Sequence, residues 1–334
     1  MTSANNNFNT CRRQPWISEI SYKNTLVRFD EDYQIMQSKL QESAGDPFER
    51  SLDLRVIATH LWFAFQLKYT AGVELSELSE ELSKVVLAYE EYSDEIENIP
   101  EAKYFSPFPL NDVIDEYVDY LNLLSACVLL HREDLVPRVH NLIVGTEFDE
   151  NDAVIEEILK FFLQDRPALD NWTWENPYRL LLDAIDEVDE QTQSKSMGSY
   201  VKNWYSGLKR QAHFWGKHEQ ISDDFSPYSG YWAMCAAAFT YLYEIDDSAY
   251  RDELVYPKDM VDFARSMPRN PALMKNGVEV LRVLGGRACP REGVWFSPAM
   301  SNSSKYFKVG DVMPTFSESE YGTTIWQWGL ANNV

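Results

Sequence analysis

Apolar residues recur at steps of three and four over most of the first 270 positions. That period limits the chain to packed amphipathic helices. Leu54, Ile57, Ala58, Leu61 and Phe65 form one stripe, and Leu75, Leu78, Leu82, Val85, Val86 and Tyr89 a second. Val113, Tyr117, Leu121, Leu124 and Val128 form a third, and Val154, Ile155, Ile158, Leu159 and Phe162 a fourth. Leu181, Leu182, Ile185 and Val188 form a fifth, with Asn176 as cap and Pro177 at the first helical position. Breaks are expected at Gly45-Asp46-Pro47, Ala71-Gly72, Pro100, Ser106 to Pro109, Gly145 and Asp165-Arg166-Pro167. No alternating strand pattern competes. The expected fold is an all-α array of roughly nine or ten helices of ordinary length.

Beyond Pro268 the texture changes. Val294-Trp295-Phe296, Tyr306-Phe307-Lys308 and Thr323 to Trp326 are short, aromatic or β-branched, and separated by Gly, Ser and Pro. They predict a short extended or small β tail. The chain thus divides into a flexible N-terminus (1–20), an acidic N-terminal helical domain (21–170), a C-terminal helical domain (171–270) and an aromatic tail packed on the helical body (271–334).

Charge narrows the partners. Thirty Lys and Arg stand against 53 Asp and Glu, a net charge of −23. A chain this acidic lacks the clustered cations that hold nucleic acid, and an anionic membrane would repel it. Residues 1–170 hold 14 bases and 32 acids, whereas residues 271–334 hold 6 and 5, so the acidity belongs to the helical part. The polar, Asn-rich N-terminus is no secretory signal, and the longest apolar run, Tyr231 to Tyr243, is too short to span a bilayer. Cys11, Cys127, Cys235 and Cys289 form no CxxC pair. A soluble, reduced, cytoplasmic protein is expected.

Familiar catalytic signatures are absent: there is no GxGxxG, P-loop, GxSxG or HExxH. Gly285-Gly286 reads as a turn. His213 and His218, with Glu219 or Asp223, give a ligand set on paper, but their five-residue separation does not share one helix face cleanly. No metal or cofactor is expected.

The acids themselves are patterned. Asp112, Asp115, Glu116 and Asp119 stand at i, i+3, i+4 and i+7, and Asp183, Asp186, Glu187 and Glu190 repeat that spacing. Each set predicts an acidic stripe with no i+4 Lys or Arg to relieve it. The first starts a helix after Pro107 and Pro109, where acids favour the macrodipole and a solvated face suffices. The second is expected in the middle and later turns of the helix begun by Pro177, where the dipole gives no help, and so is a candidate face for a basic partner. Glu147 to Glu157 adds six acids and no base, in part through local capping.

One stretch goes beyond composition: Tyr200 to Tyr205 (YVKNWY, with Trp204), His213-Phe214-Trp215 and His218, Tyr228 to Trp232 (YSGYW), Ile245-Asp246-Asp247-Ser248, and Tyr256-Pro257 with Asp259. It resembles the C-terminal domain of PoNi-like immunity proteins, which guard bacteria against PoNe-type DNase effectors of polymorphic-toxin systems, often delivered by type VI secretion. Met234 and Cys235 stand where that pattern has Phe and Glu, so any role of the Glu is not carried over. The tail, Gly293 to Pro298, Tyr306-Phe307, Gly310 to Pro314 and Tyr321 to Trp328, resembles the aromatic tail of related immunity families.

The motif residues also have a physical reading. Gly230 permits close approach, Tyr231, Trp232, Ala236, Ala237 and Phe239 make a central apolar helix, Asp246 and Asp247 suit a cap, and Pro257 begins a helix. They are scaffold on that reading. The resemblance implies a non-enzymatic immunity protein whose partner is a cognate effector toxin, a nuclease; because a nuclease carries a basic face for phosphate, charge complementarity makes Asp183, Asp186, Glu187 and Glu190, then Asp112, Asp115, Glu116 and Asp119, the expected toxin contacts. The alternatives are an all-α carboxylate enzyme, whose signature would be a cleft holding two or more acids with His213 or His218, and a general helical adaptor. Homodimerisation is left open.

Overall fold

Helical periodicity becomes eleven α-helices among the residues described by this computed structural model, which are 4–42, 45–102, 105–187, 189–268, 282–297, 299–300, 303–316 and 323–328. The first four are α1 (Ala4–Cys11), α2 (Glu19–Glu42), α3 (Pro47–Ala71) and α4 (Leu75–Glu97). Then come α5 (Ile114–Leu129), α6 (Val136–Asn141), α7 (Ala153–Leu159), α8 (Glu175–Ile185), α9 (Glu190–Gly207), α10 (Met234–Leu242) and α11 (Lys258–Ser266). Among the described residues no helix is long and apolar enough to cross a membrane.

Local chemistry sets the ends. Asp46 caps α3 by accepting from the Phe48 N–H (3.0 Å), with Pro47 at the first turn. Gly72 closes α3 at φ 95°, and a Cβ there would lie 2.2 Å from the Cys11 carbonyl oxygen, so only glycine fits. Asp152 caps α7 and Asp189 caps α9.

Helix α5 is central, with 13 of its 16 residues buried. It packs on α10, all nine residues of which are buried. Around them α3 pairs with α4 and α8 with α9. The core runs continuously from Ile57 to Ala264. Each Leu, Ile or Phe fully buried there contributes roughly 1.5–3 kcal/mol relative to exposure. The Tyr231-to-Tyr243 run is shorter as a helix than its apolar length suggests, because α10 begins only at Met234.

Residues 13–17, placed by sequence in a flexible N-terminus, are instead tied to the core. Gln14 is 1% exposed and Ile17 fully buried. The Gln14 amide donates to the Tyr231 and Leu254 carbonyls (both 2.8 Å), and its oxygen accepts from the Tyr231 N–H (2.9 Å) and the Tyr228 hydroxyl. The Arg13 N–H donates to the Thr70 carbonyl (2.8 Å), and its guanidinium pairs with Asp259.

The tail forms an antiparallel sheet of β1 (Arg282–Leu284), β2 (Gly293–Phe296), β3 (Lys305–Phe307) and β4 (Ile325–Trp328), in the order β1-β4-β2-β3. Val283 faces Trp326, Val294 faces Tyr306, and Trp295 faces Trp328 across the ladders. Cys289, Trp295, Phe307, Met313 and Trp326 give the sheet its own core. Of the tail and stripe residues named above, Val188, Pro298, Tyr321 and Gly322 lie outside the described residues.

Candidate functional site

The first acidic set does not form a solvated face. Only Asp112, ahead of α5, is exposed. Asp115 turns toward the segment after α9, where its two carboxylate oxygens accept from the His213 and Phe214 backbone N–H groups (both 2.9 Å). Glu116 lies 3.6 Å from the Arg55 guanidinium, and burial pushes its carboxyl up against that pull. Asp119 accepts from Trp62 Nε1 (2.9 Å) and Gln66 Nε2 (3.2 Å) on α3. Burial raises its carboxyl to about 7, with those two hydrogen bonds opposing the shift and the charges of Glu116 and Asp115 adding to it. The expectation failed because α5 is a central helix, buried on most of its circumference. Its acids are relieved by groups from other elements rather than by an i+4 cation.

The second set is not one stripe. Helix α8 ends at Ile185, Asp186 caps its C-terminus, and Glu190 opens α9. Glu190 therefore sits in a first turn, where the dipole favours an acid. The Arg282 guanidinium on β1 clasps Asp186 with two hydrogen bonds (2.6 and 3.0 Å) and reaches Glu157 on α7 (2.8 Å). Asp183, Glu187 and Glu190 are exposed. The expected Asn176 cap is not what forms: α8 begins at Glu175 with Trp174 at the cap position, and Asn176 is an extended residue (φ −103°, ψ 130°) at a kink inside it. Part of the dense run to Glu157 is internal too: Asp152, Glu156 and Glu157 are buried, while Glu147 and Glu150 are exposed. Asp152 caps α7 and accepts from the Tyr117 hydroxyl (3.0 Å), while Arg166 binds Glu156 (2.6 Å) and Asp149 (2.7 Å).

The motif residues build a wall. Tyr205 stacks on Trp215 (5.2 Å between centroids), whose Nε1 donates to the Tyr205 carbonyl (3.1 Å). The Tyr231 hydroxyl accepts from the His218 N–H (3.1 Å) and meets His218 Nδ1 (2.8 Å). His213 is 80% exposed, so the two histidines serve different surroundings. Gly230 has φ 129°, and a Cβ there would lie 2.1 Å from Trp232 Nε1 and 2.2 Å from Thr70 Oγ1. That space lets Trp232 Nε1 donate to Thr70 (2.8 Å). Asp246 is no helix cap. It closes a turn onto the Ser248 N–H (3.0 Å), because residues 248–252 form turns rather than a helix. Asp247, 4% exposed, binds Arg251 (3.1 Å), Arg265 (2.9 Å) and the Tyr256 hydroxyl (3.2 Å). Pro257 directly precedes α11, as expected.

The first acidic set and the motif meet. Asp115, Val118, Asp119 and Asn122 form the floor of a cleft of about 290 Å³, and Trp62, Trp204, Phe214, Tyr231 and Trp232 line its walls. Nothing in the sequence joins positions 115–122 to 204–232; the pairing is purely tertiary. Asn122 went unnoticed in the sequence, although it lies at i+3 from Asp119. A carboxylate enzyme would need two acids and a histidine in one cleft, and this one holds Asp115, Asp119 and His213. Both oxygens of Asp115, however, hold the backbone of residues 213–214, so it serves as a loop anchor. Among the described residues no group of three or more His, Cys, Asp and Glu is placed to hold a metal ion.

Residues 150–260 match the family described as PoNe immunity proteins (PoNi), C-terminal. The match supports an immunity protein that neutralises a toxin. The crystal structure of protein PA2201 from Pseudomonas aeruginosa superposes with a TM-score of 0.57 at 18% identity, covering 77% of this chain and 91% of that one. At that identity the likeness shows the fold. No curated protein matches the chain.

Proposed function

We propose that the chain is a cytoplasmic, non-enzymatic immunity protein that binds a secreted bacterial toxin, and that the toxin is a nuclease with a basic substrate groove, of the kind delivered by type VI secretion. The match of residues 150–260 to the immunity family carries the reading. Charge supports the nuclease. A groove built for phosphate is cationic, and a net charge of −23 draws such a partner in quickly. Asp183, Glu187, Glu190 and Asp112 are the members of the two acidic sets that remain exposed.

Co-expression with its cognate toxin tests the reading. Growth should be rescued, and the two proteins should co-purify at low salt and separate more readily as salt rises. Failure of both rescue and co-purification rejects it.

A further inference from the structure

Acids alone do not make a binding site, but the cleft between α3, α4, α5 and residues 213–232 offers more. Its volume, about 290 Å³, sits at the lower end of ligand pockets and suits one side chain rather than a nucleotide or a folded element. Asn122 on its floor is 4% exposed, and its amide has no hydrogen-bond partner among the described residues. That amide is not sealed off: its polar atoms keep access to the open space of the cleft, where a ligand can take the hydrogen bonds that water otherwise makes. Above it stand the rings of Trp62, Trp204, Phe214 and Tyr231.

We propose that this cleft receives one arginine side chain of the protein partner, its guanidinium lying among the aromatic rings and hydrogen-bonding to Asp119 and Asn122. Arginine fits better than lysine because a planar guanidinium stacks on aromatic faces and presents several donors at once. The local charge agrees. Asp115, Glu116 and Asp119 on α5 face Arg55 on α3 and Lys217 beyond α9, three carboxylates against two cations. Arg55 is drawn to Glu116, and Lys217 Nζ turns to Gln220 (3.4 Å). The other polar groups about Asp119 are Trp62 and Gln66 on α3, Tyr89 on α4, Tyr178 on α8 and, at the rim, His213. The identity of the partner rests on the immunity reading; the specificity of the cleft does not.

The partner's charge would act on Asp119. A guanidinium binds the carboxylate form, while burial holds this carboxyl near 7 in the free protein. Binding therefore strengthens from pH 6 to pH 8 and releases a proton.

The full chain should be titrated with arginine amide and with citrulline amide, its neutral isostere, following tryptophan fluorescence. Arginine amide should bind roughly tenfold more tightly or better, as expected for charge-assisted hydrogen bonds, and more tightly at pH 8 than at pH 6. Asp119→Asn should remove the preference, and Asn122→Leu provides a second variant should the first fold poorly. Equal binding of the two amides, or none, overturns the proposal. Toxin capture separates the two readings. Capture unaffected by Asp119→Asn, without arginine amide binding, rejects the cleft and leaves immunity standing. A preference for arginine amide without toxin capture rejects immunity and leaves the cleft's specificity standing.

Discussion

Two sets of four acids share one spacing and meet opposite fates. Asp112 to Asp119 runs into a central helix, so its last three members turn into the protein. Asp183 to Glu190 crosses a helix end, so three of its four members remain exposed while Asp186 is drawn inward. Spacing fixes which side chains share a face. It does not say whether that face meets water. The difference lies in what the rest of the chain brings up: Arg55, Trp62 and the 213–214 backbone for one set, Arg282 for the single inward member of the other.

The sharpest way to break the contrast is Arg282→Ala. Its side chain is 6% exposed and compensates Asp186 and Glu157, the latter 2% exposed. Removing one partner of a buried pair costs about 3–5 kcal/mol, and because Glu157 keeps Lys160 while Asp186 loses its only clasp among the described residues, the lower end of that range is expected. Chemical denaturation should show a loss of that order; a loss below about 1 kcal/mol would mean the clasp behaves as a surface pair.

Asp119→Asn should act in the other direction, and only at higher pH. The folded chain holds the Asp119 proton up to about pH 7, whereas an unfolded aspartate releases it near 4. A raised carboxyl favours the folded state at low pH and loses that advantage as pH rises through this window. Asparagine keeps an oxygen for Trp62 and Gln66 but carries no proton to lose. Allowing for the partial exposure of Asp119, the variant should gain on the order of 1–3 kcal/mol over the parent between pH 4 and pH 8. Parallel melting curves across that range would reject the shift.

The smallest effect belongs to the outward members. Replacing Asp183, Glu187 and Glu190 together by Lys should change stability by no more than about 0.5 kcal/mol at each position, while toxin association slows and becomes less salt-dependent. An unchanged association rate would remove this face from the interface.

The helices were legible because their apolar period needs no knowledge of neighbours: α3, α4 and α5 carry the stripes that predicted them. The end of α8 was not. Leu181, Leu182, Ile185 and Val188 keep a helical step across the break, and the opposing signal, Asp189 as a cap accepting from the Thr192 N–H (2.9 Å), is a single residue. The cleft was legible in its parts and not in its assembly. Asp119 and Trp62 are 57 positions apart, and no local pattern joins them. The cations that quench the acids, Arg166 and Arg282, looked ordinary in sequence because their roles depend entirely on where their carboxylates arrive.

Gln14 carries a consequence for how the chain reaches this state. Its partners lie 217 and 240 positions downstream, so the clasp cannot close on a growing chain until Leu254 has been made. The segment around Gln14 waits for residues more than 200 positions downstream before its amide is satisfied, and contacts over such separations form slowly. The junction that joins the Gln14 segment to the motif thus depends on both ends of this stretch: a molecule truncated before Leu254 lacks one of the two carbonyls that hold it shut.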